Sequence, residues 1–155
     1  MKKVLLFSCL FLLMTAGLAF SKTKSSIGLY GNMVGNSTGA GGGLGLTFKY
    51  DMFPIIGMEW VYLKNSSMVG GSLDWWLVNQ PMTGAFSYYI GVGGYGAVTA
   101  NNSTNTFNFG GRIPVGLQIF PMDPVEVFLE ASPMIIFVPT LDWTVSVRLG
   151  FRVHI

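Results

Sequence analysis

The chain has 155 residues, of which half are hydrophobic, 14% are aromatic and only 10% are charged, with 21 glycines. Nine basic residues against seven acidic ones leave none of the basic footprint of a nucleic-acid binder. After Phe20 no apolar run is long enough for a membrane-spanning helix. A chain this apolar then needs another way to satisfy its backbone in lipid, and a closed β-barrel supplies it.

Met1-Lys2-Lys3 is a short basic start, followed by an apolar run over residues 4–20 and by polar Ser21-Lys22-Thr23-Lys24. This order is that of a secretory signal peptide. Residues 1–21 are therefore expected to be removed, with cleavage after Ala19 or Ser21, leaving residues 22–155 as a single domain. The rival is a membrane anchor, for which roughly 17 apolar or small residues sit at the lower edge of spanning length. Cys9 lies within the run, where a lipoprotein signal would leave an apolar core of only about five residues before it. Cleavage removes this sole cysteine, so neither a disulfide nor a cysteine-ligated metal is expected. It also removes Lys2 and Lys3, leaving seven basic against seven acidic residues.

Period-two alternation then marks the strands. Ile27, Leu29 and Met33 form a first, weaker one. Leu44, Leu46, Phe48 and Tyr50 alternate with Gly43, Gly45, Thr47 and Lys49 in the second. In the third, Ile56, Met58, Trp60 and Tyr62 oppose Gly57, Glu59, Val61 and Leu63. Leu73, Trp75 and Leu77 oppose Ser72, Asp74 and Trp76, and Phe86, Tyr88, Ile90 and Val92 oppose Ser87, Tyr89, Gly91 and Gly93. The sixth strand runs from Phe107 to Phe120, with Arg112 and Gln118 on the phase opposite Phe109, Val115 and Leu117. Pro114 within it removes a ladder donor and predicts a bulge. Val125, Val127 and Leu129 alternate with Glu126, Phe128 and Glu130. The last strand is the cleanest: Trp143, Val145, Val147, Leu149, Phe151, Val153 and Ile155 against Thr144, Ser146, Arg148, Gly150, Arg152 and His154. The expected fold is all-β, an eight-stranded antiparallel up-and-down transmembrane barrel.

Links after the second, fourth and sixth strands fall at residues 51–54, 79–85 and 121–124. Two of these are tight four-residue turns, whereas the others, at residues 34–40, 64–71, 99–106 and 133–142, run to 7–10 residues. Bacterial barrels keep short turns in the periplasm and longer loops outside. The alternation therefore predicts periplasmic termini and four external loops of about 7 to 10 residues.

Some motifs carry less than their form suggests. Gly91-Val92-Gly93-Gly94-Tyr95-Gly96 matches a dinucleotide fingerprint, yet no helical period follows to hold a pyrophosphate. Glycines relieving crowding in a narrow barrel explain it better. Asn36-Ser37-Thr38, Asn65-Ser66-Ser67 and Asn102-Ser103-Thr104 fit a glycosylation pattern and, in a bacterial chain, mark loops in water. A hydrolase would need His154 beside a nucleophile, and Ser146 lies roughly 26 Å away along the same strand. His154 is instead expected to be a solvated rim residue, leaving a serine on a neighbouring strand as the only enzymatic option. One histidine without cysteine offers no metal cluster, and no cofactor is expected.

Lys49, Glu59, Asp74, Arg112, Glu126, Glu130, Arg148 and Arg152 all fall on the phase opposite the apolar faces. Four acids and four bases balance, and isolated charges in a narrow lumen would be costly. Bridges between Glu126 or Glu130 and arginines on the flanking strands are geometrically natural. Two readings remain, a polar plug filling the barrel or a gated narrow pore. Trp60, Tyr62, Trp75, Tyr88, Phe107 and Trp143 would face lipid. Periodicity cannot say which face is inside, so a soluble periplasmic barrel with reversed faces is the standing rival.

With the strands placed, the whole mature chain resembles the eight-stranded outer-membrane barrels of the OmpA, OmpX and OmpW kind. The block Gly111-Arg112-Ile113-Pro114-Val115-Gly116-Leu117-Gln118, its proline-rich turn Pro121-Met122-Asp123-Pro124 and the acidic strand Val127-Phe128-Leu129-Glu130 look more specifically like small spirochaetal outer-membrane proteins without a settled activity. The resemblance implies a bacterial outer-membrane protein in contact with outer-membrane lipid and the barrel-assembly machinery. It further implies a monomer with host or envelope ligands at its loops. A structural or surface-interaction role is expected, the alternatives being an OmpW-like channel for small solutes and, more remotely, a lipid-modifying enzyme. Such barrels usually end in Phe or Trp; here the alternation ends in Ile155.

Overall fold

A ribbon that is apolar on every second residue has two faces of opposite chemistry, and curling it into a cylinder gives each face its own medium. The computed structural model describes residues 25–36, 39–101 and 104–155. They form β1 (Ser25–Asn36), β2 (Gly39–Tyr50), β3 (Ile55–Leu63), β4 (Ser66–Thr83), β5 (Phe86–Ala100), β6 (Asn105–Arg112), β7 (Val115–Met122), β8 (Val125–Val138) and β9 (Asp142–His154). Strands β1 to β5 pair antiparallel in chain order, β5 and β8 each pair with both β6 and β7, and β8 pairs with β9. The β1–β9 pairing, from Ser26↔His154 to Asn36↔Thr144, closes the ring. Because β6 and β7 are consecutive halves of one stave, eight staves surround the lumen. The signal peptide expected over residues 1–21 lies outside the described residues, as do parts of two Asn-Ser motifs.

The break in that stave differs from the expected bulge. Arg112↔Met134 and Val115↔Ala131 keep one register on the β8 side, and Gly93↔Arg112 and Ile90↔Val115 keep one register on the β5 side. Pro114 therefore interrupts the ladder without shifting it. The wall is stitched across the gap, where Gly91 N–H donates to the Pro114 carbonyl and Ile113 N–H to the Pro133 carbonyl, both close to 3 Å at 2.9 and 3.1 Å. Register shifts occur elsewhere, at Phe109/Gly110, at Ile119/Met122 and in β4 at Trp76/Val78 and Pro81/Thr83.

The links are also shorter than expected. At the end away from the termini they cover only residues 37–38, 64–65, 101–104 and 139–141, and at the other end residues 51–54, 84–85 and 123–124. Loops of 7 to 10 residues and the strict short–long alternation are both absent. The reason is that antiparallel pairing continues beyond the apolar face: β4 has 18 residues, β5 15 and β8 14. Backbone groups gain from pairing in any medium, whereas apolar alternation is demanded only where lipid is. Gly84, at φ +57°, turns β4 into β5 in two residues.

Exposure settles which face is inside. Trp60 is 52% exposed and Leu149 60%, whereas Glu126 is 0% and Arg152 2% exposed. A soluble barrel would have these faces reversed. The outward face is an apolar band; the lumen holds the ions.

Candidate functional site

The site is the lumen, and three layers follow from which residue types the inward phase supplies. Nearest the termini, Trp76 from β4 and Tyr89 from β5 stack with centroids 3.9 Å apart and planes at 16°. Lys49 Nζ stands 4.8 Å from the Trp76 ring centre. Arg152 lies over Phe128, its guanidinium carbon 3.8 Å from the ring centre. Both cations meet Glu126: Lys49 at 2.7 Å, and Arg152 in a shorter charge-assisted contact. Gln118 Nε2 donates to Glu126 Oε1 at 2.8 Å, and His154 Nε2 lies 2.9 Å from Glu126 Oε2. Glu126 thus gathers four partners from β2, β7 and β9, which anchors the layer.

The middle layer is built on Arg148, Arg112 and Glu130. Arg148 reaches across the lumen to Glu59 at 2.8 Å and donates to Ser72 at 3.1 Å, while lying 3.5 Å from Glu130. Arg112 binds Glu130 directly, donates to Ser132 at 2.6 Å and lies 3.3 Å from Asp74. Tyr30 and Tyr89 donate to Glu59 and Glu130 at 3.1 and 2.8 Å. Glycines make room for these rings: a side chain on Gly45 would meet the Tyr30 ring, and one on Gly116 would meet Tyr89. A pocket among Tyr30, Gly57, Asp74, Glu130 and Arg148 measures about 10 Å³, at the lower limit of what one water molecule occupies.

The third layer, away from the termini, is different. Val34, Val61, Met68, Tyr95, Ala97, Met134 and Ile136 form an apolar cluster on the inward phase, packed by Leu63. Above it opens a cup of about 460 Å³.

All eight charges singled out in the sequence, Lys49, Glu59, Asp74, Arg112, Glu126, Glu130, Arg148 and Arg152, are buried in this lumen. Some bridges join neighbouring staves, as Arg112 and Glu130 do, and others, Lys49–Glu126 and Arg148–Glu59, span the interior. Trp60, Tyr62, Trp75, Phe107 and Trp143 are exposed on the outer wall, and Tyr88 is half-buried there. His154 departs from a solvated rim residue, since it is half-buried against Glu126. Ser26 lies opposite His154 in the β1–β9 register, an order of serine, histidine and carboxylate. The Ser26 side chain is fully buried, which closes its hydroxyl to a substrate. Among the described residues no group of three or more His, Cys, Asp or Glu is placed to hold a metal. The Gly91–Gly96 fingerprint lies inside β5 and opens no helix.

Sequence reasoning left out Tyr30, Tyr89, Gln118, Ser72 and Ser132, which complete the network, and the apolar third layer. Their signal was the same inward phase that marked the charges.

No protein-family model matches the chain, and no curated protein matches its sequence. Solved structures do match. Neisserial surface protein A aligns at TM-score 0.54 and 13% identity, over 87% of this chain and 98% of that one. The N-terminal β-barrel domain of Pseudomonas aeruginosa OprF aligns at 0.56 and 8%, over 84% and 99%. The fold is that of the small outer-membrane β-barrels. Ail, the attachment invasion locus protein of Yersinia pestis, has it too, at 0.51 and 14% over 86% and 97%. Almost the full length of each relative is covered, so the whole outer-membrane barrel fold is present here, closed ring and all. Identities this low carry architecture, and the layered lumen belongs to this chain's own residues.

Proposed function

We propose that the chain is an integral protein of the bacterial outer membrane with a structural or surface-interaction role and a lumen plugged by its own charges. The observation that carries this reading is the middle layer, where buried ion pairs run across the lumen from Glu59 through Arg148 and Glu130 to Arg112 and Asp74. Hydrated ions need a continuous wet path, and a layer filled by paired, buried side chains works against one. The apolar outer wall and the fold shared with Neisserial surface protein A support the outer-membrane location. The Gly111-to-Glu130 block, with its likeness to spirochaetal proteins, supports a spirochaetal source.

In this reading the termini are periplasmic. The length of the links no longer argues for that; their composition does, because Asn36, Asn65-Ser66-Ser67 and Thr104, the described residues of the three Asn-Ser motifs, all sit at the end away from the termini. The protein's partners are outer-membrane lipid around the wall, the assembly machinery that reads the last strand, and ligands at the outer end. The β1–β9 closure leaves no free strand edge among the described residues for a second copy to pair with, which supports a monomer. A narrow channel is the second reading, favoured by the open cup, which would be its vestibule. Planar-bilayer recording separates them. A plugged barrel gives a silent trace with the native protein, whereas discrete steps altered by Arg112→Ala or Glu126→Ala would establish the channel.

A further inference from the structure

The cup at the outer end is lined unlike the rest of the lumen. Met68, Tyr95, Met134 and Ile136 bury apolar surface on the phase that elsewhere carries ions. The ions begin directly beneath. Val61 and Glu59 are successive inward residues of β3, and Met134 faces Arg112 across the β6–β8 pairing. The cup is therefore blind: a solute that enters stays or leaves by the same mouth. That floor is the plug of the proposed function, on which this inference rests.

A cup of about 460 Å³ with an apolar base falls in the size range of small-molecule sites. Polar side chains line the upper wall, where Asn108 Nδ2 donates to Thr99 Oγ1 at 2.9 Å, but at the base a sugar or a peptide backbone would bury hydroxyls or amides against Met68, Met134 and Ile136, which is unfavourable. An alkyl chain would not. Two of the lining side chains, Lys64 and Asp142, are charged at neutral pH. The Asp142 carboxylate accepts the Trp143 N–H at 2.8 Å. Lys64, exposed in the two-residue turn between β3 and β4, forms no salt bridge among the described residues. Among the described residues the mouth thus offers one uncommitted cation, Lys64, above an apolar well.

We propose that the cup binds a short anionic amphiphile, a medium-chain carboxylate, tail first from the aqueous side, with its head at Lys64. The barrel then serves to capture such a molecule at the cell surface and does not pass it through.

The test uses the full chain refolded in lipid nanodiscs with methyl-labelled methionine, titrated with sodium octanoate and separately with octanol. Met68 and Met134 report the cup, while Met58, 62% exposed on the outer wall, reports partition into the bilayer. The expected result is saturable movement of the Met68 and Met134 methyl signals with octanoate and only proportional drift of Met58. Lys64→Glu, in an exposed turn, should weaken octanoate about fivefold, the scale of one exposed ion pair, and leave octanol unchanged. Ile136→Trp should abolish saturation in a protein that still migrates as a compact barrel. No saturable movement, or octanol binding as well as octanoate with Lys64→Glu silent, would overturn the proposal. So would contacts between the Met134 methyl and nanodisc lipid chains before octanoate is added, because bilayer lipid would then be the occupant. Absent binding in a non-conducting protein removes the cup alone; ion conductance removes the floor and the plug with it.

Discussion

Glu126 shows how a buried ion is held in this lumen. Its two oxygens meet Lys49, Arg152, Gln118 and His154, so truncation leaves two buried cations without the carboxylate they contact. Removing one member of such a buried set costs about 3–5 kcal/mol. Urea unfolding of the reconstituted barrel should therefore show Glu126→Ala destabilised on that scale, and Lys49→Met markedly less, because Glu126 keeps Arg152. Equal losses would mean that Glu126 does not organise the layer. Gly116 makes a second case. Its missing side chain is the space that Tyr89 fills, between Trp76 and Glu130. Tyr89→Phe removes one hydrogen bond to a charged acceptor, about 1.5–3 kcal/mol. Gly116→Val must move the whole ring and should cost more. The sequence made the charges legible, since a carboxylate on the phase opposite Val125 and Leu129 has nowhere else to go. It could not show that Lys49 meets Glu126 across the lumen, because that distance is set by the tilt and radius of the closed barrel.

Along each strand, the two faces experience different solvents. Leu149 and Leu141 are comparably exposed, at 60% and 72%, but Leu149 lies in the middle of β9 and Leu141 in the link before it. If the wall faces lipid, depth and not exposure sets the cost of a charge there. Leu149→Arg should cost about 2–4 kcal/mol and Leu141→Arg about 0–1 kcal/mol, read from unfolding in liposomes. Similar costs at both positions would argue against a bilayer around β9. This dependence on the medium also explains why strand phases could be read and strand ends could not. Gly70, Gly71, Thr99 and Ala100 look like loop residues because they lack apolar alternation, yet all four are paired in the β4–β5 ladder. In a bilayer the apolar pattern would end where lipid stops, while hydrogen bonding continues past it. Pro114 was legible as an interruption. Its neighbours' unchanged register was not, because a missing donor does not determine whether a strand slips.

For the molecule as a whole, closure and inside-out polarity are linked. The β1–β9 pairing satisfies the last strand edges, and only a closed ring can present so apolar a wall to lipid without exposed backbone. The layered lumen follows from the same geometry, with ions paired below and an apolar cup above. The apolar layer was present in the sequence as Val61, Tyr95, Met134 and Ile136 on the inward phase. Around Met134 and Ile136 the pattern is hidden, because the segment from Pro133 to Asp142 reads as a loop, although β8 carries the strand to Val138. The central claim is that this chain is a closed barrel in a membrane, and cold versus heated gel migration after detergent extraction of the membrane fraction tests it most directly. The account predicts extraction with the membranes and a compact, faster band in the unheated sample that shifts on boiling. A chain that stays in the aqueous fraction and migrates identically before and after heating would contradict it.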